Sequence, residues 1–293
     1  FLNVNKPPGL TSFDVIRELR KQLKVKKMGH LGTLDPMATG VLPVAIGNAT
    51  RLISFLDEAN KCYRSRGRLG ATSDTQDQSG TITVIKQNPK LSHNQLSLQL
   101  QQMTGIIMQH PPMYSAVHHE GRRLYELARE GITVDVPARP VNIYRLELID
   151  MGEDEHGQWV DLEIECSRGT YIRTLWHDLG QALECGAYME QLERTKAGQF
   201  TISEAIPLAN CSAQGVLPPD FPFRDWGEVM VNGAIKNRIS NGNPVMVPST
   251  MELGKIIIKN VEGNLLALGE ITSNLASECI LKPWRVIPFD NKG

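Results

Sequence analysis

The chain has little cysteine and no obvious way to pair it. Cys62, Cys166, Cys185, Cys211 and Cys279 are odd in number, widely spaced, and never form a C-x-x-C pair. That argues against a disulfide framework and a cysteine-based zinc site, and it fits a reducing compartment. No apolar run approaches the roughly 20 residues that a membrane-spanning helix needs. Phe1-Leu2-Asn3-Val4 runs into a polar turn rather than a signal-peptide pattern, so the expectation is a cytoplasmic protein with no membrane partner. Internal repeats and low-complexity tracts are missing too. Glycines 29, 32, 40 and 47 hint at a phosphate loop, yet neither G-K-[ST] nor G-x-G-x-x-G occurs between a strand and a helix. His118-His119 lacks the helical spacing of metal ligands, Ser167 is outside any G-x-S-x-G, and no cysteine has an activating neighbour. Nucleotide-cofactor, metal and hydrolase chemistry are therefore set aside, and no cofactor or metal is expected.

Positive charge is not in excess either, since the 293 residues carry a formal net charge of −1. Its distribution is uneven. Arg17, Arg20, Lys21, Lys24, Lys26 and Lys27 stand against the single Glu18, and this basic run leads directly to residues 29–40, Gly-His-Leu-Gly-Thr-Leu-Asp-Pro-Met-Ala-Thr-Gly. There Pro36 restricts Asp35 to extended conformations, while the flanking glycines permit turns and the close approach of a bulky ligand. Asp35 is thus a posed carboxylate at the end of a basic stripe that could steer a polyanion.

Thr11 or Ser12 can cap a helix whose apolar face is Val15, Ile16, Leu19 and Leu23. Further helices are expected over 92–103, 122–129 and 174–183, with short β-rich runs between them. Arg64, Arg66 and Arg68 alternate on one strand and Asp161, Glu163 and Glu165 on another, so the two rows are expected to pair across a sheet face rather than to bind phosphate. Without a regular β-α-β rhythm, the fold class is α+β, with a mixed, mainly antiparallel central sheet flanked by helices. Prolines 207, 218, 219 and 222 make 208–222 a linker. Beyond it, strands over 254–259 and 264–271, separated by Glu262-Gly263, suggest a small β-rich module.

Several strings resemble, in the same order, the motifs of the TruB family of tRNA pseudouridine-55 synthases. They are Asn5-Lys6-Pro7-Pro8-Gly9-Leu10-Thr11-Ser12, the Gly29 to Gly40 loop, and Lys61-Cys62-Tyr63 with Leu69-Gly70 and Asp74-Thr75-Gln76-Asp77. Pro111-Pro112-Met113-Tyr114-Ser115-Ala116 with Gly121-Arg122-Arg123-Leu124-Tyr125 follows, and then residues 166–174, Cys-Ser-Arg-Gly-Thr-Tyr-Ile-Arg-Thr. The resemblance covers roughly residues 3–200 and is weaker beyond them. It implies a pseudouridine-synthase fold over 1–218 and a PUA-like RNA-binding domain over 223–293. It also implies isomerisation of uridine 55 in the tRNA T-loop, by base flipping and an aspartate-dependent exchange of a C–N for a C–C glycosidic bond.

On that resemblance Asp35 is the catalytic carboxylate, Arg173 its cationic partner, and Tyr63 the base-stacking tyrosine that also helps to move a proton. His30, Tyr171 and Leu192 line the nucleotide pocket, with Asp77 supporting it. Lys24, Lys26 and Lys27 are expected to assist RNA docking. The partner is the T-arm of tRNA, the chain is expected to act as a monomer, and the lack of a long basic extension argues against a guide RNA. Two alternatives remain: an RNA-binding protein that remodels tRNA without catalysis, and a guide-dependent synthase.

Overall fold

In the computed structural model, residues 1–56, 59–273 and 279–287 are described. The last residues of the expected C-terminal domain, 288–293, lie outside them. A ten-stranded sheet forms the larger part of the molecule. Along its main path the order is Ile206–Pro207, Leu2–Lys6, Thr39–Ile46, Ala187–Ala197, Lys61–Leu69, Gly157–Cys166, Arg139–Asp154 and Gly105–Gln109, with Met28–His30 and Phe200–Thr201 attached at the side. Two of these pairings are parallel, Leu2–Lys6 with Ile206–Pro207 and Ala187–Ala197 with Thr39–Ile46. The others are antiparallel, as the α+β expectation required.

The first helix, Ser12–Leu23, begins as its sequence predicts. Thr11 Oγ1 accepts the Asp14 N–H at 3.0 Å and Asp14 Oδ2 accepts the Thr11 N–H at 3.0 Å, a reciprocal capping box. Val15, Ile16 and Leu19 are buried, and Lys24 ends the helix in the left-handed region at φ 54°. Ser12 does not cap; its hydroxyl turns to the Asp35 loop. The 92–103 expectation corresponds to His93–Gln102, capped by Ser92. Two expectations need adjustment. Arg122–Arg123 pair as a short strand with His118–His119, and the helix there is Leu124–Arg129. The helix expected from 174 starts earlier, at Ile172–Ala182, with the extended Tyr171 as N-cap residue and its carbonyl accepting the Leu175 N–H at 3.0 Å, and this places Arg173 in the first turn. Trp176 anchors that helix: it is 1% exposed, its Nε1 donates to Ser65 Oγ at 2.9 Å, and a Cβ at Gly67 would come within 2.3 Å of its ring.

The charged rows do share a sheet face, with Arg66 opposite Asp161 and Arg64 opposite Glu163, and of these two cross-strand pairs Arg66–Asp161 forms the ion pair. Arg66 Nε and Nη2 each donate to Asp161 at 2.7 Å, and the guanidinium lies 4.1 Å from the Trp159 ring centroid. Glu163 instead receives Arg145 at 2.6 Å. Arg68 turns away to Asp154 at 2.6 Å and Glu190 at 2.8 Å. Alternation predicts the face, whereas side-chain reach decides the partner.

The second sheet has the order Gly227–Val231, Gly254–Asn260, Leu265–Ser273, Cys279–Val286 and Val245–Val247, with the helix Gly233–Ser240 packed on it through Ile239. The segment expected to be a linker is not a free tether. Leu208 and Cys211 enter the main core, Pro222 and Phe223 are buried, and the Leu217 N–H reaches the Phe1 carbonyl at 2.7 Å. The reason is apolar content: prolines interrupt regular structure, while the hydrophobic residues among them still seek burial. A shared cluster then joins the two sheets, with Phe1, Leu31, Val41 and Phe200 on one side and Ile257 and Leu268 on the other.

Candidate active site

Asp35 sits in the connection between Met28–His30 and Thr39–Ile46, a connection with almost no regular structure of its own. Its backbone is held from outside. Ser12 Oγ donates to the Leu34 carbonyl at 3.2 Å and lies 2.9 Å from the Leu34 N–H, while the Gly9 N–H donates to the Pro36 carbonyl at 2.8 Å. The Lys6 ammonium is fully buried and donates to the carbonyls of Pro7, Pro36 and Ala38 at 2.9, 3.1 and 2.7 Å. The Asn5 to Ser12 string therefore wraps the Asp35 loop. Leu34 and Ala38 plug the loop into the main core, and Leu31 plugs it into the cluster between the sheets. Such bracing lets a loop hold one side chain in one place.

The carboxylate meets Arg173 side-on. Arg173 Nε is 2.8 Å from Asp35 Oδ2 and Nη2 is 3.2 Å from Oδ1. The arginine side chain is 5% exposed, whereas that of Asp35 keeps 33% of its surface, so the open side of the pair belongs to the carboxylate. Arg173 also donates to the Thr75 carbonyl at 3.2 Å and the Tyr114 carbonyl at 2.9 Å, and its Nε is 3.7 Å from Asp77 Oδ2. Burial raises the Asp35 pKa above its ordinary value; Arg173 opposes that rise and the Asp77 charge adds to it. The arginine offsets part of the carboxylate's desolvation, and burial remains the larger effect.

Asp77 is 7% exposed in its side chain. Its Oδ1 accepts Thr75 Oγ1 at 2.8 Å, the Ser79 N–H at 2.9 Å and Ser79 Oγ at 2.5 Å. The turn is ordered by these bonds and leaves the other oxygen toward Arg173. Tyr171 immediately precedes the arginine's helix. Gln109, 2% exposed, fastens it by donating to the Tyr171 carbonyl at 3.0 Å and accepting its N–H at 2.8 Å.

Tyr63 is 7% exposed on the Lys61–Leu69 strand, more enclosed than a half-buried strand tyrosine, and burial pushes its phenol up to about 12. It is a protonated phenol at neutral pH, fit to donate rather than to act as a standing base. Leu192 is 8% exposed opposite Ser65, within the same core. His30 ends the strand that enters the loop; its Nδ1 is enclosed without a hydrogen-bond partner, and burial together with the Arg194 charge lowers its pKa. A neutral imidazole follows. Lys24, Lys26 and Lys27 lie exposed on the turn before Met28, outside the enclosed cluster.

Two buried cations around the loop were not selected from the sequence. Lys6 lies inside the Asn5 to Ser12 string, its only signal in the sequence; burial lowers its pKa to about 8 although the Asp35 charge opposes the shift. Arg194, two residues past Leu192, carried no signal, yet it is 1% exposed and donates to Gly32 and Val41 carbonyls. Among the described residues, no cluster of His, Cys, Asp or Glu has an arrangement that could hold a metal ion.

Residues 20–172 match the model of the TruB family pseudouridylate synthase N-terminal domain. Residues 173–215 match the tRNA pseudouridylate synthase B C-terminal domain. A protein named tRNA pseudouridine synthase B from Syntrophomonas wolfei is 45% identical over 298 residues, covering 99% of both chains. Its namesake from Moorella thermoacetica is 43% identical over 300 residues, covering 98% of both. The chain belongs to the TruB family. Among solved structures, a Cbf5-Nop10-Gar1 complex matches with a TM-score of 0.72 at 25% identity, covering 98% of this chain and 84% of that one. An H/ACA RNP bound to a substrate RNA containing 2′-deoxyuridine matches with a TM-score of 0.72 at 23% identity, over 99% and 85%; this second likeness concerns the fold. The junction between the two TruB family models falls inside the helix Ile172–Ala182. It divides the matches, not two folded bodies.

Proposed function

We propose that this TruB-family chain converts uridine 55 in the T-loop of tRNA to pseudouridine, with Asp35 as the catalytic carboxylate and Arg173 as its partner. The observation that carries the reading is the side-on Asp35–Arg173 pair on a braced loop, with the carboxylate on the open side. The tRNA pseudouridine synthase B name of the relatives supports the substrate class.

The reaction breaks the N1–C1′ bond, turns the base and forms C5–C1′; C5 gives up a proton and N1 gains one. Atoms and electrons balance, so the chemistry calls for no redox partner and no cofactor. A carboxylate beside C1′ stabilises cationic character there or attacks it, as carboxylates do in glycosidases. Arg173 keeps that carboxylate available despite burial. The uridine must leave its stack, at about a few kcal/mol. His30, Tyr63, Tyr171 and Leu192 supply the enclosing surface, and the Tyr63 phenol can donate a proton to the base.

The same reading assigns residues 1–218 to catalysis and 223–293 to a PUA-like domain that adds RNA contacts, in a cytoplasmic enzyme acting as a monomer without a guide RNA. A cleft of about 470 Å³ supports it. The cleft begins at Gly32, runs between the two sheets, and offers Lys61, Lys196 and Lys255 beside Trp226, a combination suited to a phosphate backbone and an unstacked base.

The test is pseudouridine mapping of an unmodified tRNA transcript with wild type and with Asp35→Asn, without added metal or cofactor. Modification at position 55 by wild type alone supports the proposal. Tight binding by both proteins with no modification by either replaces it with the RNA-remodelling alternative.

A further inference from the structure

Arg194 occupies an unusual position. Its backbone pairs with Gly40, at the exit of the Asp35 loop, so closely that a Cβ at Gly40 would lie 2.3 Å from the Arg194 carbonyl oxygen. Its guanidinium reaches back to the entrance, donating to the Gly32 carbonyl at 3.0 Å and the Leu31 carbonyl at 3.4 Å, while Nε donates to Val41 at 2.7 Å. One residue therefore holds both ends of the loop. On the neighbouring strand it stands opposite Tyr63, and its charge favours ionisation of that phenol against the effect of burial.

Arg66, Arg68, Arg145 and Arg173 all pair with carboxylates. Arg194 forms no ion pair among the described residues, although it is 1% exposed. A buried cation bonded to neutral groups is a poor stabiliser, since its desolvation is repaid only in part and an apolar side chain of similar length would avoid it. Its place beside the loop and the phenol points to the site rather than to the core.

We propose that Arg194 is a positioning residue that closes the Asp35 loop at both ends and fixes it against Tyr63, so that carboxylate and phenol meet the flipped uridine as one preset pair. The inference rests on the pseudouridine-synthase reading above.

The test uses the full chain with Arg194→Met, Arg194→Lys and Tyr63→Phe, alone and combined, in single-turnover pseudouridine formation, tRNA binding and thermal melting. The expected result is cooperative melting and tRNA affinity within about threefold of wild type, with the chemical rate constant down about 10²-fold, the scale of a misplacement of about 1 Å. Arg194→Lys should recover part of that rate, and Arg194→Met should cost less in the Tyr63→Phe background than alone. A wild-type rate in either folded Arg194 variant overturns the inference. So does a rate loss that follows the melting temperature and disappears on cooling, or one wholly independent of Tyr63. If Arg194→Met does not fold, Arg194→Lys carries the same comparison. Failure of the wild type to modify tRNA would count against the functional reading instead.

Discussion

Arg66 and Arg173 each face an aspartate, and the two pairs differ in burial and in what else the arginine holds. Arg66 and Asp161 spend both hydrogen bonds on each other, at 2.7 Å, with side chains 29% and 30% exposed. The pair is closed on itself and rests on Trp159. Arg173 is 5% exposed and divides its donors among Asp35 and two backbone carbonyls, with Asp77 close by. Its aspartate keeps an open side and a pKa raised by burial. The same two functional groups make a sheet-face clasp in one place and a loaded carboxylate in the other, because desolvation and neighbours differ.

The comparison breaks most severely if Asp35→Asn is tolerated. Turnover should fall about 10³-fold or more, as when a catalytic carboxylate or charge stabiliser is removed, while tRNA affinity stays near wild type in a filter-binding assay. Next is Arg173→Met, which strands the Asp35 charge. A destabilisation of about 3 kcal/mol, the low end for a broken buried pair because Asp35 retains exposure, should appear in urea melts together with lost activity. Wild-type stability and rate would show that Arg173 is another Arg66.

A smaller effect concerns the basic turn. Replacing Lys24, Lys26 and Lys27 together by Gln should flatten the slope of log Kd against log salt by roughly 2 units if all three meet phosphates; an unchanged slope removes them from docking. The pH dependence sharpens the contrast from another side. A carboxyl with a raised folded-state pKa binds its proton more tightly folded than unfolded, so ionising it costs stability. The cost is absent below the ordinary value of 3.8, grows as pH rises through it toward the folded-state value, and is complete above. The melting-temperature difference between Asp35→Asn and wild type should therefore move in favour of the variant as pH rises from acid to neutral. A constant difference across that range would contradict the raised pKa. The smallest effect belongs to Arg66→Gln, at about 1 kcal/mol or less for a partly exposed pair, with the rate unchanged.

The Asp35 loop was legible because its turn chemistry is local. Gly32 and Gly40 take φ of 71° and 97°, and Pro36 restrains Asp35, all within one short string. The N-cap of the first helix and the alternation of the charged strands are local in the same sense. The Asp35–Arg173 contact spans 138 positions, and only resemblance to a family joined the two residues beforehand. Lys6 and Arg194 were not legible as buried neighbours of the loop because neither type nor spacing marks a lysine or arginine that will be buried on carbonyls. The packing of 208–222 was missed for a related reason: proline content reports the lack of regular structure, while burial depends on which apolar surface lies nearby.

By itself, the sequence determined the α+β class, the start of the first helix, the turn chemistry of the Asp35 loop and the family, because these follow from neighbouring residues and short ordered strings. Tertiary structure alone decided which carboxylate is enclosed and which is clasped on a surface, where Lys6 and Arg194 place their charges, and how Leu31 joins the loop to the second sheet. Those outcomes depend on desolvation and on contacts between distant segments, and both come into being only when the chain closes on itself.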